Sequence, residues 1–169
     1  MDTSGRPQQD EVDLVMAAWH RERPDLDLQP LAVLSRVSRM ARLLDLARRE
    51  AFGAGSLDPW EFDVLSALRR AGAPHELSPG ALVAQTLVTS GTMTNRIDRL
   101  VDRGHVERLP SRTDRRGVIV RLTESGRDAV DAAMEQLLTH ERELLAGVGE
   151  AEQAEVADAL RRVLSRLEH

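Results

Sequence analysis

The densest positive charge of this chain lies in one short segment, RTDRRGVIVRLTESG, at positions 112–126. Arg112, Arg115 and Arg116 fall within its first five residues, and guanidinium groups at that density favour contact with an anion. The VIVRL that follows alternates as a strand does, so we expect these arginines at the tip of a β-hairpin. Such a tip can insert arginine into the minor groove of DNA, with Asp114 positioning Arg116. A solvated charged loop is the alternative interpretation.

A helix upstream of this hairpin carries side chains that can hydrogen-bond to base edges. The spacing of apolar residues predicts a helix over 92–103, with Met93, Ile97, Leu100 and Val101 on one buried side. Polar types suited to base edges lie at its start or on its outward side, and arginine there can reach a guanine or a phosphate. The residues that we predict to contact DNA on this helix are Ser90, Thr92, Asn95 and Arg99. An ordinary solvated helix face is the alternative.

The formal net charge of −5 argues by itself against a nucleic-acid-binding protein, but the charge is unevenly distributed. Residues 1–77 hold 10 arginines and 13 acidic residues, and residues 122–169 hold 5 arginines and 11 acidic residues. The middle segment, 78–121, holds 8 arginines and 4 acidic residues, for a net charge of +4. A local basic patch between acidic flanks is compatible with DNA binding.

Capping signals and apolar periodicity predict the elements that must position these side chains. The segments Asp58-Pro59-Trp60-Glu61 and Ser78-Pro79 are typical helix starts. They introduce a helix-turn-helix, which is followed by a hairpin of strands at 105–109 and 118–122. Long amphipathic helices are predicted on either side, at 10–23, 31–52, 123–146 and 150–168.

The predicted fold class is therefore mainly α with a small β-hairpin wing: a winged helix-turn-helix with N- and C-terminal dimerisation helices. We divide the chain into N-terminal helices (1–57), a DNA-binding region (58–122) and C-terminal helices (123–169). The apolar stripes of the terminal helices need cover, which a second copy related by a two-fold axis would supply. A homodimer also doubles the phosphate contacts, which a negatively charged chain needs. A monomer that folds these helices on itself is the alternative.

Several classes of function are disfavoured by what the sequence lacks. There is no cysteine, which excludes disulfides, thiolate catalysis and cysteine zinc sites. The five histidines have no metal-binding spacing, and there is no glycine-rich phosphate loop or nucleophile elbow. We therefore expect no enzymatic activity, no metal and no cofactor. Without a long apolar run or a secretory signal, we expect a cytoplasmic protein that does not contact a membrane.

The segment LSPGALVAQTLVTSGTMTNRIDRLVDRGHVERLPSRTDRRGVIVRLTESG resembles the winged-helix core of the MarR family of bacterial transcriptional regulators. The matching motifs are RLVDRGHVER, which ends the helix predicted at 92–103, DRR in the wing and the closing LTESG, and the match covers residues 58–126. The resemblance implies an obligate homodimer that places the recognition helix of each subunit on palindromic double-stranded DNA. It also implies repression that a small anionic or phenolic ligand relieves by weakening DNA binding.

Two guanidinium groups, a carboxylate and an indole form a set suited to binding a flat anion. We predict such a ligand-binding set from Trp19, Asp63, Arg96 and Arg108. In order and spacing these residues resemble the urate-responsive, PecS-like subgroup of the MarR family, which implies urate or a similar purine or carboxylate anion as effector. The structural alternatives are a core anchor for Trp19, a helix-dipole contact for Asp63, and phosphate or ion-pair contacts for the two arginines.

Other functions fit parts of the same pattern. A winged helix can dock a protein instead of DNA, although the arginine-rich tip favours DNA. A MarR-type regulator can also sense a phenolic or other carboxylate ligand. A copper- or zinc-sensing regulator is disfavoured because cysteine and clustered histidines are lacking. Steep weakening of binding as salt rises would distinguish DNA from a protein partner.

Overall fold

The computed structural model describes residues 9–53, 57–111 and 117–168. The chain forms two compact units, Met1–Glu50 and Ala51–His169. The elements in chain order are α1 (Glu11–Glu22), α2 (Gln29–Gly53), α3 (Pro59–Arg70), β1 (Glu76–Leu77), α4 (Pro79–Thr86), α5 (Ser90–Asp102), β2 (Val106–Pro110), β3 (Val118–Leu122), α6 (Glu124–Leu144) and α7 (Glu150–Leu167). None of the described helices combines the length and the apolar composition that crossing a bilayer requires.

The first unit joins α1 to α2 through a capping site and an arginine. Asp10 and Asp13 form a capping box, in which each side chain accepts from the other residue's backbone N–H at 3.0 Å. Arg36 on α2 contacts both carboxylates, at 2.8 Å and 2.7 Å, and its guanidinium lowers the pKa of Asp10. Because these side chains remain 36–45 % exposed, the ion pairs orient α1 more than they stabilise it.

The second unit is built from a helix-turn-helix and a small sheet. Helix α3 packs against α4 and α6, and α5 lies against α4 and β2. The sheet is antiparallel with the order β1-β3-β2, so β3 is its central strand. The largest buried apolar side chains of this core are Leu65, Leu68, Leu82, Met93, Ile97, Leu100, Val64, Val120 and Val130.

One arginine of the basic segment at 112–126 links the three strands of the sheet through its side chain. Arg121 on β3 is the register partner of both Glu76 on β1 and Glu107 on β2. Its Nε donates to Glu76 Oε1 at 2.7 Å, and its Nη1 donates to Glu107 Oε1 at 3.3 Å. Opposite charges placed directly across a ladder stabilise the pairing of strands. Strand β1 was missed in the sequence because two residues cannot show an alternating pattern.

The architecture confirms the predicted fold class, a mainly helical winged helix-turn-helix with a β-hairpin. Helix α5 begins at Ser90, two residues before the predicted start, because Thr89 Oγ1 accepts from the backbone N–H of Thr92 at 3.3 Å and caps the helix. The division into three segments and the role of the terminal helices in dimerisation stay predictions. In the structure, α6 packs against α3 of the winged core.

A glycine ends α5 and directs the chain into β2. Gly104 has a φ of +73°, the left-handed region that glycine adopts without a steric penalty. Its N–H donates to Val101 O at 2.8 Å, and the N–H of His105 donates to Leu100 O at 2.9 Å. These two bonds satisfy the last carbonyls of the helix in the Schellman arrangement.

A second glycine lets α6 approach the start of β2 closely. The N–H of Thr123, the cap residue of α6, donates to the carbonyl oxygen of His105 at 3.1 Å. A Cβ built on Gly126 would lie 2.0 Å from that same oxygen. Glycine is therefore the one residue type that fits at position 126 without a shift of the backbone.

We expect Gly126→Ala to lower the free energy of unfolding by about 2–3 kcal/mol, because the backbone of His105 cannot yield as a flexible side chain would. Denaturant titration followed by circular dichroism measures the change. Gly80→Ala is the matched control, since its Cβ would meet nothing closer than Ser78 Oγ at 3.9 Å. Equal stability of the two variants would contradict the close approach of α6 to β2.

The imidazole of His105 is buried at the same junction, with the residue 8 % exposed. Burial lowers the pKa of His105 below its ordinary value of 6.5, and the positive charge of Arg103 lowers it further, against a smaller opposing effect of Glu61. His105 therefore stays neutral in the folded protein at a pH at which the unfolded chain already binds a proton.

The free energy of unfolding should consequently decrease as the pH falls below about 6.5, because the unfolded state gains the His105 proton first. Above that pH, His105 should make no pH-dependent contribution. Denaturation at pH 5.5 and pH 7.5 measures the difference for the wild type, for His105→Gln and for a control, His20→Gln, at an exposed position. The same pH dependence in all three proteins would refute this assignment.

Candidate nucleic-acid interface

Helices α4 and α5 are joined by a turn of three residues. Ser78 Oγ accepts from the backbone N–H of Ala81 at 3.2 Å, and Pro79 occupies the first helical position, so α4 begins as predicted. Leu87 follows α4 in the left-handed conformation, with φ +53° and a side chain that is 92 % exposed. Thr89 then caps α5, and the short turn holds the start of α5 next to the end of α4.

One face of α5 is buried and the opposite face is exposed. Met93, Ile97 and Leu100 are at most 1 % exposed, whereas Val101, predicted to join them, is 36 % exposed. The residues of α5 that are predicted to contact DNA are all exposed, and they are Ser90, Thr92, Asn95 and Arg99. The exposed start of α5 also presents backbone N–H groups of the kind that bind phosphate at helix N-termini.

The guanidinium of Arg99 lies over an aromatic ring that the sequence analysis did not connect with it. Its Cζ atom is 4.7 Å from the centroid of the Trp60 ring, and the Cζ of Arg96 is 5.6 Å from the same centroid. The indole Nε1 of Trp60 donates to Asp58 Oδ2 at 3.2 Å, and Arg99 Nη2 lies 3.8 Å from that oxygen. The first turn of α3 thus provides a surface for two arginines of α5.

A buried carboxylate anchors the other end of the same side of α5. Glu61 is fully buried, accepts from the backbone N–H of Asp58 at 2.8 Å and forms an ion pair with Arg103, the C-cap residue of α5. Arg96, Arg99 and Arg103 are spaced by three and four residues, which places them along one side of the helix. We call these three residues the arginine stripe; it rests on the first turn of α3.

The arginines of the predicted hairpin tip, Arg112, Arg115 and Arg116, lie outside the described residues, as does Asp114. The strands that lead to them are described. Strands β2 and β3 stay in register from Val106, opposite Leu122, to Pro110, opposite Val118. Beyond the last pair, Ser111 N donates to Gly117 O at 2.9 Å, so the hairpin is paired up to both sides of 112–116.

The predicted effector-binding residues occupy different surroundings. Trp19 lies exposed on α1 in the first unit, and Asp63 lies exposed on α3 in the second. The guanidinium of Arg96 contacts Trp60, as described above. No group of three or more histidine, aspartate or glutamate residues in the described part of the chain is arranged to hold a metal ion.

Arg108 forms its contact on the other side of α5. Its Nη1 donates to Asp98 Oδ1 in an ion pair that links β2 to α5. Asp98 is two residues from Arg96, which corresponds to about 200° around an α-helix. The two predicted ligand arginines therefore have partners on opposite sides of α5.

Sequence reasoning missed Trp60 and Asp98 as partners of these arginines. Trp60 was interpreted as part of a helix start, and no contact was predicted for Asp98. No local pattern marks either contact, because each joins elements that are separated along the chain. The one available signal is compositional: Trp60 is one of only two tryptophans in the sequence.

Comparison with known proteins confirms the resemblance found in the sequence. Residues 56–117 match the MarR family. The chain is 37 % identical over 157 residues to the HTH-type transcriptional regulator PecS of Dickeya dadantii, covering 93 % of this chain and 95 % of that protein.

Solved structures of related regulators share the fold. A cysteine-to-serine mutant of MarR from E. coli, in complex with operator DNA, has a TM-score of 0.70 at 30 % identity, covering 82 % of this chain and 99 % of that one. BpsR of Bordetella bronchiseptica, whose DNA binding is regulated by 6-hydroxynicotinic acid, has a TM-score of 0.68 at 25 % identity, covering 78 % and 91 %. Because the similarity to PecS spans nearly the full length of both proteins, this chain belongs to the MarR family of transcriptional regulators.

Proposed function

We propose that this protein is a ligand-responsive repressor that binds palindromic operator DNA as a homodimer. Its family consists of transcriptional regulators and not of enzymes. The observation that carries the proposal is the exposed polar face of α5, on a helix whose other face is buried in the core. Such a helix can enter a major groove with Ser90, Thr92 and Asn95 toward the base edges.

The hairpin supplies the second proposed contact with DNA. Strands β2 and β3 lead directly to the segment that holds Arg112, Arg115 and Arg116. Arginine inserted into a narrow minor groove is favoured by the negative potential there. In this proposal Asp114 positions Arg116, and the wing adds affinity while α5 reads the sequence.

The apolar surfaces that one chain leaves exposed support a homodimer. Every residue of α7 is described, and none is buried, although Val156, Leu160 and Leu164 recur on one side of the helix. In proteins most of the stability of a helix comes from packing of its apolar face, so α7 needs a packing partner. The first unit also exposes large apolar side chains, namely Leu14, Val15, Val33, Leu34, Met40, Leu43 and Leu46. A second copy would cover such surfaces symmetrically.

We expect two chains on each operator duplex and an affinity that falls steeply as salt rises, because phosphate binding releases counterions. Fluorescence anisotropy at 50 and 200 mM salt, with DNA from upstream of the protein's own gene, measures the affinity. Sedimentation measures whether the mass of the protein without DNA is twice that of one 18.8 kDa chain.

Asn95→Ala should weaken specific binding by about fivefold or more, since a base contact of this kind is worth ~1–3 kcal/mol. Gln136→Ala, an exposed amide on a different helix, is the matched control. A monomer in solution, or equal affinities of the two variants, would count against the proposal.

We further propose that a small flat anion, with urate as the first candidate, weakens operator binding. The candidate residues remain Trp19, Asp63, Arg96 and Arg108. The similarity to PecS over nearly the whole chain supports this proposal, and so does the regulation of BpsR by 6-hydroxynicotinic acid, an aromatic carboxylic acid. The alternative is a phenolic or other carboxylate effector.

The contacts of the two arginines suggest how an anion would act. An anion that binds the N–H groups of Arg96 places a negative charge next to the contact of that residue with Trp60, and an anion that replaces Asp98 at Arg108 breaks the ion pair between β2 and α5. The effector shifts the population toward the released state only to the extent that it binds that state better.

Urate titrated to millimolar concentration should release the protein from its operator, and Arg96→Ala should blunt this release more than it weakens DNA binding. Arg162→Ala, an exposed arginine on α7, serves as the control. A mobility-shift assay measures both quantities, and 6-hydroxynicotinic acid is the second compound to test. A complex that persists at millimolar urate would reject urate as the effector without affecting the DNA-binding proposal.

A further inference from the structure

Trp60 brings a residue of the candidate DNA-binding face into contact with the first turn of α3. The side chain of Arg99 is 64 % exposed, yet its guanidinium lies 4.7 Å from the centroid of the indole ring. An exposed arginine side chain can adopt many rotamers. Because burial does not hold the side chain of Arg99, its contact with the ring determines where its positive charge lies.

Asp58 holds the indole and leaves the donors of Arg99 available for another acceptor. It accepts from Trp60 Nε1 at 3.2 Å, which orients the ring. Its distance of 3.8 Å from Arg99 Nη2 is too long for a hydrogen bond. A cation–π contact uses the face of the guanidinium and none of its N–H groups, which can therefore bind phosphate or guanine.

Because a second arginine lies nearby, the position of Arg99 depends on the indole ring of Trp60. Arg96 lies 5.6 Å from the same centroid, so two like charges share one indole. The negative face of the ring and the carboxylate of Asp58 offset their repulsion. Without the indole, Arg99 would lose the contact that keeps it beside α3 while the neighbouring positive charge remained.

We propose that Trp60 is a positioning residue for operator recognition, which holds Arg99 at the edge of the exposed face of α5 in the conformation that meets DNA. A long side chain that is already held loses less freedom on binding. This inference rests on the proposed DNA-binding function. It adds a residue of α3, outside the helix-turn-helix, to the determinants of operator affinity.

A double-mutant cycle tests the inference with the full-length protein and its operator. Trp60→Leu is expected to raise the operator Kd about threefold to fivefold, and to have no further effect in the Arg99→Ala background. Trp60→Phe keeps an aromatic face and is expected to restore part of the lost affinity. Circular dichroism melting curves confirm that each variant is folded at the assay temperature.

Fluorescence provides a readout that does not depend on DNA. The chain has two tryptophans, so Trp19→Phe leaves Trp60 as the single emitter. In that background, Arg99→Ala is expected to shift the emission of Trp60, whereas Arg162→Ala is not. This comparison also tests the contact if Trp60→Leu fails to fold.

Three outcomes would overturn the positioning role and leave the proposed function intact. They are an unchanged Kd for Trp60→Leu, tighter binding by that variant, and an equal loss with and without Arg99. Unchanged Trp60 emission in Arg99→Ala would also overturn it. Failure of the wild type to bind any operator at low salt would instead reject the proposed function, and this inference with it.

Discussion

Burial of one face of α5 is the constraint on which the candidate DNA-binding surface depends. Met93, Ile97 and Leu100 are almost completely inaccessible, and burial of each such side chain contributes about 1.5–3 kcal/mol. Any rotation of the helix would expose these residues and bury polar ones, so apolar packing sets the direction in which Asn95 and its neighbours face. The surface is thus preformed by the core of the second unit, and its orientation requires no contact with DNA.

Polar side-chain contacts also hold α5, on the two sides of the helix next to its buried apolar face. Glu61 is a buried carboxylate whose ion pair with Arg103 cannot be broken without leaving a buried charge, which is costly. The contact of Arg99 with Trp60 and the pair between Arg108 and Asp98 are more exposed and correspondingly weaker.

The arginines of the middle segment, 78–121, fall into two groups that differ in what their side chains contact. Arg103, Arg108 and Arg121 pair with carboxylates and serve the fold of the second unit. Arg96 and Arg99 contact an indole, and Arg99 also lies 3.8 Å from a carboxylate oxygen of Asp58. A count of residues, such as the net charge of +4 over 78–121, cannot tell a structural arginine from one that faces a ligand.

The sequence by itself determined the helix starts at Pro59 and Pro79, the apolar face of α5 and the class of the fold, because capping and periodicity act between residues a few positions apart. It missed the two-residue strand β1, and it assigned Val101 to the core although that residue is partly exposed, because a position on a helical wheel gives an angle and not a neighbour. Only the tertiary structure decided that Arg99 meets Trp60 and that Arg108 meets Asp98. Those contacts join different elements, so they exist only because of how the elements pack. The spacing of residues along the chain carries no information about that packing.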